Sequence, residues 1–158
     1  MTSIHRIAQV AVVAALSCLP AFSQANPAIG DWKLNPAKSK SSSGLPQNQT
    51  AHIEPSGTGV KNTTQGTSAD GKSTSYTWTA NFDEKDYPIT GDTPSGADTI
   101  SIKRTSANTF ETTMKKDGKV VQTTKSVYSK SGKTRTIISK GTDPQGKPTS
   151  STLVYEKQ

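Results

Sequence analysis

Beyond residue 25 the chemistry of this chain rests on seven of its eight aromatic rings, Trp32, Tyr76, Trp78, Phe82, Phe110, Tyr128 and Tyr155, and on its two guanidinium groups, Arg104 and Arg135. Aromatic faces with a few convergent polar groups are the usual lining of a small-molecule pocket. Arginine suits the polar end of such a pocket, because its weakly hydrated planar group tolerates partial burial and holds a carboxylate through two bonds. Tyr76, Trp78, Phe110 and Tyr155, with Arg104 and Arg135, are therefore the candidate residues for binding a small amphipathic ligand. The competing reading is that the same rings are the core, since a chain with so few large apolar residues needs them to fill the barrel, and both readings stay open.

Catalytic inventory is short. His52 is the single imidazole after residue 25 and no thiol follows Cys18, so Cys-His pairs and multi-histidine metal sites are excluded from that stretch. No Gly-x-Ser-x-Gly turn activates any of the serines, and no glycine-rich phosphate cradle is present. Asp83-Glu84-Lys85-Asp86 is interrupted by a lysine and lacks the loop glycine of a calcium site, so it reads as a solvated turn. The expectation is a protein that is not an enzyme and carries neither cofactor nor metal.

The elements that must position the rings are marked by glycines. Gly118, Gly132 and Gly146 recur at intervals of fourteen residues, each in a turn between stretches rich in Thr, Val, Ile and Tyr, and Gly57 and Gly71 repeat the interval earlier. A strand followed by a tight turn whose glycine takes φ > 0 is the hairpin pattern, and its repetition gives antiparallel neighbours. Ten strands are predicted, at Gly30 to Leu34, Thr50 to Glu54, Gly59 to Thr64, Ser73 to Phe82, Tyr87 to Thr90, Thr99 to Thr105, Thr109 to Lys115, Lys119 to Tyr128, Thr134 to Thr142 and Pro148 to Glu156. Residues Asn35 to Gln49 and Gly91 to Asp98 read as loops, and no segment sustains a helical period. Along the strands Tyr76, Trp78, Ala80 and Phe82 share one face, as do Ile100 with Ile102 and Phe110 with Met114. Val120-Val121 and Ile137-Ile138 break the alternation, as bulges or as outward-facing β-formers. An open sheet of ten strands exposes two edges and an apolar face, so closure into an up-and-down barrel is the favoured solution.

The N-terminus sets the compartment. Arg6, the apolar run Ile7 to Leu19, Pro20 and the small residues Ser23 and Ala25 have the three-part layout of a secretory signal, with cleavage expected after Ala25. The run is too short to span a bilayer, which takes about 20 residues. Ala15-Leu16-Ser17-Cys18 loosely matches a lipid-attachment box, so anchoring at Cys18 is the minor alternative. Residues 1–25 are thus read as a signal peptide and residues 26–158 as one domain, periplasmic or secreted and free of cysteine. Only 31 of those 133 residues are apolar, while 39 are Thr or Ser. β-branched threonine suits a solvated strand face, so this composition fits a sheet rather than disorder.

Charge is basic without being concentrated. Sixteen lysines and two arginines face 12 acidic residues after residue 25, and no run exceeds Lys115-Lys116. Lysines spread over turns and edges protect a sheet from edge-to-edge pairing. No nucleic-acid partner is expected from this pattern; weak attraction to anionic envelope surfaces is the second reading, and oligomeric state is not legible.

Gly30-Asp31-Trp32-Lys33-Leu34 resembles the Gly-x-Trp opening of the lipocalin and fatty-acid-binding-protein group, the calycins, and Val154-Tyr155-Glu156-Lys157 resembles that group's last strand. The stretch Trp32 to Ser39, with the Asp-Gly-Lys hairpins, is similar to a set of small exported bacterial lipocalin-like proteins. The resemblance implies a barrel with Trp32 as the plug of one end. Intracellular fatty-acid carriers hold a carboxylate with Arg-x-Tyr in the last strand, where this chain has Leu153-Val154-Tyr155, and Asn35 to Gln49 has no period for their helical lid. The expected function is non-enzymatic binding of a small amphipathic or hydrophobic ligand inside the barrel. The alternative is a structural or interaction protein with a filled barrel, acting through its Lys- and Thr-rich outer surface.

Overall fold

The computed structural model describes residues 26–158. The apolar run Ile7 to Leu19, the cleavage point after Ala25 and Cys18 lie outside the described residues. Eleven strands form one sheet: β1 (Gly30–Leu34), β2 (Lys40–Ser41), β3 (Gln47–Ser56), β4 (Gly59–Thr67), β5 (Ser73–Ala80), β6 (Tyr87–Gly91), β7 (Thr99–Ser106), β8 (Thr109–Lys116), β9 (Lys119–Tyr128), β10 (Thr134–Thr142) and β11 (Pro148–Lys157). All neighbours are antiparallel, and β1 closes the sheet by pairing with both β3 and β11. β1 and β2 lie end to end along β11, at Tyr155 to Lys157 and at Ser151 to Thr152, so they form one interrupted stave of a ten-stave barrel.

The interruption has a local cause. Asn35 caps a single 3-10 turn, Pro36–Lys38, its side-chain oxygen accepting from the Lys38 N–H, and the Ser39 hydroxyl donates to the Asn35 carbonyl at 2.7 Å while accepting from the Val154 N–H at 2.9 Å. These bonds fasten the break to β11 and keep the wall closed. The segment from Asn35 to Gln49, read as loop, thus contains a turn, a short strand and the first residues of β3, none of which carries an apolar pattern. Val121 is the extra residue where the register shifts between Met114↔Gln122 and Lys115↔Val120, which makes Val120-Val121 a bulge. Ile137-Ile138 is not one: Ile138 faces solvent at 43% exposure and Ile137 packs on the core.

The turns confirm the glycine pattern, with Gly118, Gly132 and Gly146 at φ of 76°, 69° and 81°. One end of the barrel is closed, and Trp32, 1% exposed, sits in it. Its indole N–H donates to the Ala28 carbonyl at 2.9 Å, and its ring meets Tyr128 edge-on at 5.3 Å. Tyr128 in turn contacts Phe110 at 5.7 Å and Phe110 contacts Phe82 at 5.2 Å, so four rings form the floor. Phe82 lies two residues past the end of β5 but still joins this floor.

Candidate functional site

Above the floor the barrel is hollow. A cavity of about 670 Å³ runs upward to a mouth bordered by the β2–β3, β4–β5, β6–β7 and β10–β11 loops. Tyr76, Trp78, Phe110, Arg135 and Tyr155 all line it. Arg104 does not: its guanidinium donates to the carbonyls of Ser106 (3.2 Å) and Ala107 (2.7 Å) and lies 5.4 Å from the Phe110 ring centroid, tying down the β7–β8 turn behind the floor. Trp32 lies below the cavity rather than in its lining.

Arg135 is the chemically distinctive group. The β-ladder sets it directly between Tyr128 on β9 and Tyr155 on β11, and its Cζ lies 5.5 Å and 6.0 Å from their ring centroids. One terminal nitrogen donates to the Ser126 hydroxyl at 3.3 Å, whereas Nε is buried with no acceptor. No carboxylate pairs with this guanidinium among the described residues; every ion pair formed by a lysine or histidine is at the surface. A partly buried cation with an unfilled donor is costly unless an anion completes it.

The phenols around it stay protonated. Burial pushes Tyr76, Tyr128 and Tyr155 above the usual range, and Arg135 draws each part of the way back. The Tyr155 hydroxyl donates to the side-chain oxygen of Gln49, and the Asn62 amide donates to the Thr64 hydroxyl at 2.9 Å. Because the raised folded values make the native state hold these protons longer than the unfolded chain, their contribution to stability is complete below about pH 10 and is lost as pH climbs past it. Alkaline titration at the tyrosinate absorbance band is expected to show these phenols ionising late and together with unfolding; ionisation near pH 10 with the fold intact would contradict their burial.

Gln49, Asn62, Thr64, Ser126 and Ser139 also line the cavity and were not singled out from sequence. Charged neighbours were the available signal: Lys61, Lys125 and Lys140 are exposed, so the uncharged polar residues beside them face inward. His52 stands on the outer wall, its Nδ1 2.6 Å from Asp31 and its Nε2 3.9 Å from Glu54. These side chains are well exposed, and no cluster of metal-ligating side chains forms among the described residues.

The S-type phycobiliprotein lyase CPES from Guillardia theta superposes with a TM-score of 0.54 at 12% identity, covering 84% of this chain and 89% of that one. What the two share is the barrel fold. A redesigned β-barrel, mFAP1, solved bound to DFHBI, covers 83% of this chain and 95% of its own at 15% identity and a TM-score of 0.45. No protein-family profile and no curated protein matches the chain.

Proposed function

We propose that the protein is an exported, non-enzymatic carrier that binds one small amphipathic ligand inside the barrel, with Arg135 holding its anionic end between Tyr128 and Tyr155. The observation that supports this reading is the open cavity of about 670 Å³, within the usual size of small-molecule sites, with an unpaired guanidinium set into its wall. A filled barrel acting only through its surface has no use for either feature. Trp78 and Phe110 supply apolar contact, and Tyr155, fixed by Gln49, holds the ring beside the cation.

The test is direct binding. An environment-sensitive probe such as 1-anilinonaphthalene-8-sulfonate is expected to bind one site per chain, quench Trp78, and be displaced by amphipathic anions. Arg135→Gln is expected to weaken an anionic competitor by about 1.5 to 3 kcal/mol, the worth of a charge-assisted contact, and a neutral one far less. Failure of the folded protein to bind the probe or a broad ligand set would return the function to the outer surface. Salt-dependent capture on anionic envelope fractions is the result that surface reading expects.

Export is tested separately. Intact mass of protein recovered from its native host is expected to begin at Asn26, and a lipidated species beginning at Cys18 would replace the free carrier with an anchored one.

A further inference from the structure

The cavity has two unlike walls, and their chemistry narrows the ligand. On β5, β7 and β8 the inward side chains are mainly Trp78, Ile100, Ile102, Phe110 and Met114, an apolar arc broken by few polar groups. On the arc from β8 to β11 the ladder aligns Thr112, Thr124, Ser139 and Ser151 at one level, each directly opposite the next, and all four line the cavity. Along β10 this row of hydroxyls lies above Arg135, at Ser139, with Ile137 and Leu153 as the aliphatic side chains between. A ligand whose anion rests on Arg135 must carry the rest of its body up past that row toward the mouth.

We propose that the ligand is a compact planar carboxylate, aromatic or polycyclic, bearing hydroxyl or carbonyl groups along one edge, and not a fatty acid. This deepens, and rests on, the reading of the barrel as a ligand binder. A flat ring system lays one face on Trp78, Ile100 and Ile102 and turns its polar edge to the hydroxyl row, so both walls are used. An alkyl chain satisfies only the apolar arc. It strips water from Thr112, Thr124, Ser139 and Ser151 and returns no hydrogen bond, and a site built around such groups discriminates strongly against a ligand that lacks their partners. The aromatic faces and the positive charge at the bottom favour the same class, since a ring carboxylate stacks and pairs without freezing many torsions.

The experiment compares three anions on the intact protein by calorimetry: 3,7-dihydroxy-2-naphthoate, 2-naphthoate and decanoate, with 1-anilinonaphthalene-8-sulfonate as the independent reporter of the cavity. The dihydroxy compound is expected to bind one per chain and at least about tenfold tighter than either of the others. In Thr124→Val, which keeps the side-chain shape, the advantage of the dihydroxy compound over 2-naphthoate is expected to shrink several-fold while decanoate binds no more weakly. Decanoate binding as tightly as the dihydroxy compound, or an unchanged ratio in a folded Thr124→Val protein, overturns the ligand class and leaves the binder reading intact if the fluorescent probe still binds. Absence of binding by all four molecules overturns both.

Discussion

Trp32→Ala is expected to lower the unfolding free energy by about 3 to 5 kcal/mol, the usual cost of truncating a large aromatic residue in a core, and to lower the melting temperature by 10 °C or so. The residue is almost fully buried, its N–H bond to Ala28 fixes the segment that leads into β1, and its ring is the first of the four that make the floor. The Lys157 ammonium lies 5.3 Å from the indole centroid, so the same ring also gathers the end of β11. Between β3 and β11, Trp32 sits where the barrel closes on itself, opposite Ala51 on one side and Lys157 on the other. Few other large apolar groups are present to make good the loss. Trp32→Phe retains much of the packing and gives up the bond to Ala28, so its expected loss is nearer about 1 kcal/mol. Denaturant midpoints for the three proteins check this; a Trp32→Ala midpoint equal to that of the natural protein would remove the plug from the account of stability.

The barrel was legible because its signals are local. A turn glycine reports φ > 0 from its own position, and Gly118, Gly132 and Gly146 marked three hairpins correctly. Inward faces with a large apolar residue were legible as well, as in Tyr76, Trp78 and Ala80 on β5 or Ile100 and Ile102 on β7. Stave β1–β2 was not, because its break is held by a hydrogen bond that Asn35 donates to Glu156 and one that Ser39 accepts from Val154, on a strand more than a hundred residues away. The two arginines show the same limit. Both occupy inward parity on their strands, yet Arg104 donates to the carbonyls of its own hairpin while the ladder sets Arg135 between two tyrosines in the cavity wall. What separates them is the stagger of neighbouring strands around the barrel, and stagger leaves no mark in a single strand's pattern. The hydroxyl row was hidden for another reason: serine and threonine suit outward and inward positions alike, and the lysines that break the tie stand only beside Thr124 and Ser139, as Lys125 and Lys140.

Gly91→Ala is expected to cost about 2 to 4 kcal/mol, a large effect for one methyl group, because it combines backbone strain with collision at the thinnest part of the wall. Gly91 has φ of 97°, and a Cβ built there lies 2.2 Å from the Ser75 carbonyl oxygen and 3.0 Å from the Tyr76 Cα. Strain at such a φ accounts for about 1 to 3 kcal/mol. The collision is with backbone, so no side chain can rotate away, and relief requires β6 to separate from β5. That separation is easy to localise: β6 meets β5 through only three register pairs and β7 through two, and Pro88 can donate nothing to the ladder. Gly71→Ala separates the two causes, since Gly71 has φ of 84° but open space around its added methyl, and its expected loss is the strain component alone. Chemical denaturation of both variants and hydrogen exchange along β5 and β6 check the difference. Faster exchange is expected at Tyr76 to Trp78 in Gly91→Ala only, and because Tyr76 and Trp78 line the cavity, probe binding should weaken with it. Equal losses in the two variants would show that β6 already yields freely at this seam, making the wall beside Trp78 a flexible flap rather than a fixed stave.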